Sequence, residues 1–440
     1  MIALDFPQSS QYKVYVEGHG CSANLADTEI ISGMVSRHGF KIVDDWESAD
    51  LSVLVTCTVK SVTEQRMLSR IRELCSAGQK VVVAGCLSKA EPNKVLAIDP
   101  KLSLVGPGNL DRIVPIITSG LEGTQSIAID DERLVKLGMP RTRRNETIGI
   151  VEIASGCLSS CTFCQVKLVK GAIFSYPEEK IVEETSELIS QGAREIWLTS
   201  TDNSAYGRDS KTTLSGLLRK ICSLPGDFKV RVGMMNPLLT KGKVLGDLVG
   251  AFQHEKVFKF LHLPVQSGSN RILNLMQRGY SIDDYYATIE AFRSDISDLS
   301  LSTDIIVGFP TETEDDFEES IALVKRSKPD VLNLSRFGAR EGTKAAIMDG
   351  QIPAPILKDR SRRMSAIWKK LALETNQKWI GRNGPAIVDE RVKGAFIARN
   401  DSYKPCLLQD ELLSDKDLMG RVVQLRVNDA SPFTLRAVLV

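Results

Sequence analysis

Nine cysteines are the residues of this chain best suited to chemistry, and six of them fall into two sets of three. In ASGCLSSCTFC, Cys157, Cys161 and Cys164 stand at i, i+4 and i+7. Thiolates so close in sequence can hold three irons of a cubane 4Fe-4S cluster and leave the fourth iron open to a substrate. A structural zinc site needs four ligands, and no histidine lies between His38 and His254 to complete one locally. Cys21, Cys57 and Cys86 follow the apolar runs YKVYVEGHG, LSVLVT and KVVVAG. If these runs are parallel strands, the three thiols meet at the edge where open α/β sheets bind ligands. That register favours a second three-cysteine cluster over core packing, with a zinc site completed by His19 as the alternative. Cys75, Cys222 and Cys406 lack such company and are read as buried filler.

The three N-terminal runs alternate with helical segments near Asn24 to His38 and Ser61 to Ala77, the rhythm of a small doubly wound α/β domain. Six further runs, IGIVEIA, EIWLTS, VRVGMM, FLHLPVQ, LSTDIIVG and VLNLSRF, are separated by amphipathic segments and suit a barrel or partial barrel. The basic stretch KLGMPRTRRNET, Lys136 to Thr147, reads as the linker between the two. Leu357, Met364, Ile367, Trp368 and Leu371 keep helical spacing and predict a helix that closes the barrel. Short alternating runs after Lys378 predict a small antiparallel β-barrel. The domains expected are 1–135, 145–372 and 376–440.

With 440 residues, 42% hydrophobic and 25% charged, the chain is a folded protein of about three domains rather than a disordered one. Lys+Arg 56 against Asp+Glu 55 leaves a net charge of +1, so no global field draws it to nucleic acid or lipid. From Asn383 on, eight basic and eight acidic residues cancel, whereas Lys358 to Arg382 holds eight against two. That helix, with Arg141, Arg143 and Arg144, is the candidate phosphate-contacting track. The start MIALDFPQSSQ has no basic end or apolar run, and no stretch is long enough to span a bilayer, so a cytoplasmic, non-membrane protein is expected.

CxxxCxxC with Phe163 before the last cysteine resembles the signature of radical S-adenosylmethionine enzymes. The wider set VYVEGHGCSANLADTE, VTCTVK, VVVAGCLSK, PRTRRNETIGIVEIASGCLSSCTFC, LHLPVQSGS, STDIIVGFPTETEDDF and REGTKA resembles the methylthiotransferase family of such enzymes over nearly the whole chain. Thr58-Val59-Lys60 and TRRN resemble its archaeal and eukaryotic branch. The resemblance implies two 4Fe-4S clusters, a radical one on Cys157, Cys161 and Cys164 and an auxiliary one on Cys21, Cys57 and Cys86. It also implies S-adenosyl-L-methionine as cofactor, a partial TIM barrel as the central domain and a C-terminal RNA-binding TRAM barrel. The implied reaction adds a methylthio group to C2 of N6-threonylcarbamoyladenosine at position 37 of tRNA. Partners implied are the tRNA anticodon stem-loop, an electron donor and a sulfur source, with no DNA and no membrane. An aryl C–H offers a base no acidic proton, so radical abstraction takes the place of acid–base chemistry.

The same resemblance makes Thr201 and Asp202 candidates for the methionine amine of the cofactor, with Asp202 equally a loop cap. Arg231 and Asn236 are expected near its ribose or carboxylate. His262, Gln266, Ser267 and Asp304 are expected at neighbouring strand ends, where Gly308 would let the backbone approach closely. Lys170-Gly171 replaces the usual Arg-Gly of the family and loses a bidentate fork. Competing readings are methylthiolation of N6-isopentenyladenosine or of a ribosomal aspartate, and, in another class, a non-catalytic metal-containing RNA-binding protein.

Overall fold

The computed structural model describes residues 12–59, 61–392, 394–408 and 417–440; the first eleven residues, considered above, and Lys60 lie outside them. The N-terminal domain runs β1 (Lys13–Gly18), α1 (Ser22–Arg37), β2 (Lys41–Val43), β3 (Leu51–Thr56), α2 (Ser61–Ser76) and β4 (Val81–Gly85). It continues through α3 (Cys86–Ala90), α4 (Pro92–Leu96), β5 (Ser103–Val105), α5 (Ile113–Leu121) and β6 (Ile127–Ala128). The strands form one parallel sheet in the order β2-β1-β3-β4-β5-β6. Strands buried on both faces need apolar residues at successive positions, and β3 and β4 are buried throughout. Val53 and Val55 pack with α1 and α5, while Leu54 packs with α2 and α4 on the opposite face.

The central domain holds β7 (Ile148–Glu152), β8 (Ala154–Ser155), α6 (Val166–Lys170), β9 (Phe174–Ser175), α7 (Glu178–Ser190), β10 (Glu195–Thr199), α8 (Leu214–Cys222) and β11 (Lys229–Val232). It then follows α9 (Gly242–Phe252), β12 (Phe260–His262), α10 (Asn270–Leu275), α11 (Ile282–Asp295), β13 (Ser300–Val307), α12 (Glu314–Ser327), β14 (Val331–Arg336) and α13 (Ala354–Gln377). Parallel triplets β7-β10-β11 and β12-β13-β14 are joined by a bridge between Val230 and Val257 and by Met235 N–H donating to His262 O at 2.9 Å. The result is a six-stranded partial barrel. Met364 and Trp368 of α13 are buried in its helical layer, as their spacing predicts, with Leu357, Ile367 and Leu371 half-buried and Ala372 buried beside them.

The last unit, β15 (Asn383–Val392), β16 (Ala395–Asn400), β17 (Pro405–Leu408), β18 (Val422–Ala430) and β19 (Leu435–Leu439), is a closed barrel in the order β15-β16-β17-β19-β18. The all-antiparallel expectation needs one correction: β17 and β19 run parallel. Five strands cannot alternate direction all the way round a closed ring, so one neighbouring pair must match.

The stretch from Lys136 to Thr147 is not a solvated linker. Lys136 is buried and pairs with Asp27 of α1 at 2.6 Å and Glu152 of β7 at 3.2 Å. Arg141 pairs with Glu184 at 2.5 Å and donates to Ile150 O at 2.8 Å, and Arg144 donates to Val16 O at 2.7 Å. The basic track is likewise smaller than its sequence suggests. Arg360 is buried on Glu312 at 2.7 Å, Arg363 pairs with Glu314 and Glu318, and Arg362 pairs with Asp359. Lys358, Lys369 and Lys370 remain exposed.

Candidate active site

The CxxxCxxC loop leaves β8 through Gly156, whose φ is +76° and where a Cβ would lie 2.1 Å from Ala172 O, so only glycine fits. Cys157 N–H donates to Gly171 O at 3.2 Å, and Thr162 is tied to Met276 O and Leu275 O at 3.1 and 2.9 Å. These bonds hold the three thiols above the strand ends. Ser159 N–H points at Cys157 Sγ at 3.4 Å, and Arg278 Nη1 donates to Cys161 Sγ at 3.2 Å. Burial, reinforced by Asp202 nearby, pushes the Cys157 thiol up to about 11.

At the edge of the N-terminal sheet, Asn24 Nδ2 donates to His19 O at 2.9 Å and Thr56 O at 2.8 Å, stitching the ends of β1 and β3 together. Gly20, at φ +117°, brings its backbone so near Cys57 that an added Cβ would sit 2.6 Å from that residue's Cβ. Cys57 Sγ accepts from Val59 N–H at 3.4 Å. Cys86, the first residue of α3, is pushed up to about 12 by burial and lies within electrostatic reach of Lys170, Cys21 and Cys57. His19 is occupied elsewhere, its Nε2 2.5 Å from Glu17.

Each set therefore offers three thiols at one sheet edge with backbone or guanidinium donors aimed at sulfur, the donor chemistry an iron-sulfur cluster uses. Among the described residues no three His, Cys, Asp or Glu side chains gather round a point where a single ion would sit. Cubane ligands each bind a different iron and have no need to converge so tightly. Beside the radical set, Thr201 Oγ1 and Asp202 Oδ2 are buried without a hydrogen-bond partner. Such orphans carry a desolvation cost that a bound donor would relieve. The residues fit two clusters and an amine-bearing cofactor.

Between the two sets, α3 packs on α6, and Lys170 at the end of α6 enters a buried network. It pairs with Glu152 at 3.0 Å, and Glu152 also takes Lys136 and the Tyr176 hydroxyl, the latter at 3.2 Å. Burial alone would raise the Glu152 carboxyl, but Lys136 and Lys170 hold it at about 2. Gln165 Nε2 donates to Glu91 at 3.0 Å, and Arg340 pairs with Glu64 across the same interface.

Asp202 caps the following turn, accepting from Ser204 N–H at 3.0 Å and Ser204 Oγ at 2.5 Å, while its second oxygen stays free. Asn236 joins that cap to the cysteine loop, accepting nothing from the loop but donating to Ser159 Oγ at 3.1 Å, and its N–H meets Ser204 Oγ at 2.9 Å. His262 Nε2 lies 3.3 Å from Asp304, which also accepts from Asn333 at 2.6 Å. Gln266 has φ +76° and bridges to β13.

Three residues have other company than expected. Arg231 is stacked among Trp197, Phe260 and Tyr403 at 5.2, 5.4 and 5.3 Å from their centroids. Ser267 is fully buried against Ser320 of α12 at 3.4 Å. Gly308 makes room for a side chain rather than a cofactor, since a Cβ there would lie 1.7 Å from Leu357 of α13. The sequence reading missed Arg278, a lone arginine past α10 with no motif around it. It also missed Asn24, whose only signal is its place three residues after Cys21.

A cavity of about 550 Å³ opens beside β14, with Val59, Phe163, Gln266, Asp304, Arg336 and Arg340 in its wall. Val59 lies two residues past Cys57 and Phe163 between Cys161 and Cys164, so loops from both cysteine sets border one space. Residues 13–106 match the model described as "Uncharacterized protein family UPF0004", and residues 151–324 match the Radical SAM superfamily. A probable threonylcarbamoyladenosine tRNA methylthiotransferase of Pyrococcus horikoshii is 40% identical over 90% of this chain and 94% of its own. That of Archaeoglobus fulgidus is 39% identical over 95% and 96%. The threonylcarbamoyladenosine tRNA methylthiotransferase of Drosophila melanogaster is 35% identical over 96% and 77%.

The chain belongs to the threonylcarbamoyladenosine tRNA methylthiotransferase family. Among solved structures, the radical S-adenosylmethionine methyltransferase TsrM of Kitasatospora setae aligns with a TM-score of 0.57 at 16% identity over 77% of each chain, a likeness of fold. No helix among the described residues is long and apolar enough to cross a membrane.

Proposed function

We propose that this protein adds a methylthio group to C2 of N6-threonylcarbamoyladenosine at position 37 of tRNA, as the names of its relatives indicate. The observation that carries the reading is the single cavity bordered by Val59 and Phe163, one from each cysteine loop. A reaction that must bring a sulfur donor and a hydrogen-abstracting centre to one carbon needs such a shared space.

Cys157, Cys161 and Cys164 would hold the radical cluster and Cys21, Cys57 and Cys86 the auxiliary one. When bound, these clusters and S-adenosyl-L-methionine supply the electron, the hydrogen abstraction, the sulfur and the methyl group. The chain's own residues bind and orient. Arg278 donates to Cys161, the free oxygen of Asp202 accepts the cofactor's amine, and Asn236 fixes the loop between them. Phe163 and its apolar neighbours keep water from the reacting carbon. A reducing electron donor, a sulfur source and the tRNA anticodon stem-loop are the partners this requires, and the cytoplasm the compartment.

Mass spectrometry of nucleosides from tRNA, with and without the gene, tests the substrate. Loss of 2-methylthio-N6-threonylcarbamoyladenosine alone is expected. Unchanged levels of it, with loss of the isopentenyl derivative or of the modified ribosomal aspartate, would overturn the reading. Absence of 5′-deoxyadenosine from the reduced, reconstituted protein would favour a non-catalytic role.

A further inference from the structure

We propose that Arg336 and Arg340 form the subsite that receives the carboxylate of the N6-threonylcarbamoyl group, and so select this base over one with an uncharged N6 substituent. The inference rests on the substrate reading above and adds the residues that would enforce it.

Both arginines line the cavity shared by the two cysteine loops. Arg336 ends β14 at the rim, exposed, and its guanidinium makes no hydrogen bond or ion pair with the described residues. Arg340 is 6% exposed and paired with Glu64, yet its Nη2 is buried without a hydrogen-bond partner. A buried guanidinium nitrogen left unmatched beside an open space is a costly arrangement unless a ligand acceptor completes it. Among the described residues in the same wall Asp304 is the one acidic side chain, and Asn333 and His262 already engage it. With Arg340 charge-paired to Glu64, the guanidinium of Arg336 and the unmatched Nη2 of Arg340 are the donors the wall holds for an anionic guest.

The rest of the cavity fits the remainder of such a guest. Phe163, Ile306, Leu334 and Phe337 supply an apolar wall for a planar base. Guanidinium groups match a carboxylate with paired parallel donors, which neither an isopentenyl chain nor an unmodified amine can use.

The test compares binding of three synthetic anticodon stem-loops, identical but for adenosine, N6-isopentenyladenosine or N6-threonylcarbamoyladenosine at the target position. Fluorescence anisotropy is read on the anaerobically reconstituted holoenzyme. The unaltered protein is expected to prefer the threonylcarbamoyl RNA by about ten-fold or more, the effect of hydrogen bonds to a charged group. Arg336→Gln should collapse that preference while leaving affinity for the adenosine RNA in place, and Arg336→Lys should restore part of it. Arg340→Gln should act in the same direction, read alongside its melting temperature because Glu64 loses its partner. An unchanged preference in both variants would overturn the proposal. So would an equal loss for all three RNAs, which would assign the arginines to the phosphate backbone. Failure of the unaltered protein to methylthiolate the threonylcarbamoyl RNA would instead count against the substrate reading, and is scored separately by mass spectrometry.

Discussion

Arg278 donates to the sulfur of Cys161 at 3.2 Å, with its other nitrogens held by the Tyr280 hydroxyl at 3.1 Å and Pro264 O at 3.2 Å. The guanidinium is almost wholly buried, so it acts at low dielectric and cannot be replaced by water. Hydrogen bonds to ligand sulfur favour the more negative, reduced form of a cluster. Arg278→Met is therefore expected to shift the radical cluster to a more negative potential and slow cofactor cleavage. An EPR-monitored redox titration checks this, and an unchanged potential would refute it.

Cys57→Ala and Cys161→Ala should separate the two sets. Two cubanes give about eight irons per chain, and either substitution should lower this toward about four. Cys57→Ala should end methylthiolation yet spare formation of 5′-deoxyadenosine, whereas Cys161→Ala should end both. Iron analysis and product mass spectrometry decide the matter, and methylthiolation surviving Cys57→Ala would remove the auxiliary cluster from the scheme.

Lys170 is buried beside Glu152 and within electrostatic reach of Cys86, where breaking an ion pair leaves a charge uncompensated. Lys170→Met should cost about 3–5 kcal/mol of stability. Lys170→Met combined with Glu152→Gln should recover part of it, and denaturant midpoints of both variants measure the difference. Equal midpoints for Lys170→Met and the unaltered chain would show that the network carries no stability.

Glu195, at the floor of the central barrel, is pushed up to about 8 by burial and by Asp389 of the C-terminal barrel. Its folded value stands above the roughly 4.3 of an unfolded glutamate. The folded state thus binds this proton more tightly, and the stability it contributes is full below the unfolded value and lost as pH rises toward 8. Glu195→Gln should flatten that decline. Urea midpoints followed across this interval test it, and parallel curves for the two proteins would contradict it.

Much of this was legible beforehand, and what was not has a physical reason. Strands such as LSVLVT and KVVVAG announce themselves by unbroken apolar runs, and the cysteines after them inherit the sheet's register. Lys136 and Arg141 were misread because a charged run looks the same whether solvent or a partner carboxylate faces it. Their partners, Asp27 and Glu184, lie far along the chain. Arg231 was misplaced because alternation along β11 tells which side chains share a face but not that Tyr403 of another domain lies against that face. At Gly308 a glycine in sequence marks a close approach, but only the fold reveals that Leu357 of α13 packs there.

The three rings around Arg231 come from β10, β12 and the turn after β16, so the barrel's floor is built by two domains. Lys259 N–H also donates to Asp401 O at 2.8 Å, and Lys404 pairs with Asp330 at 2.6 Å. Removing the final sixty or so residues would bare Trp197 and Phe260 to water and leave a cation in an unlined hole. The C-terminal unit is thus no detachable accessory: the central barrel's underside is finished only by residues that lie beyond it in the chain.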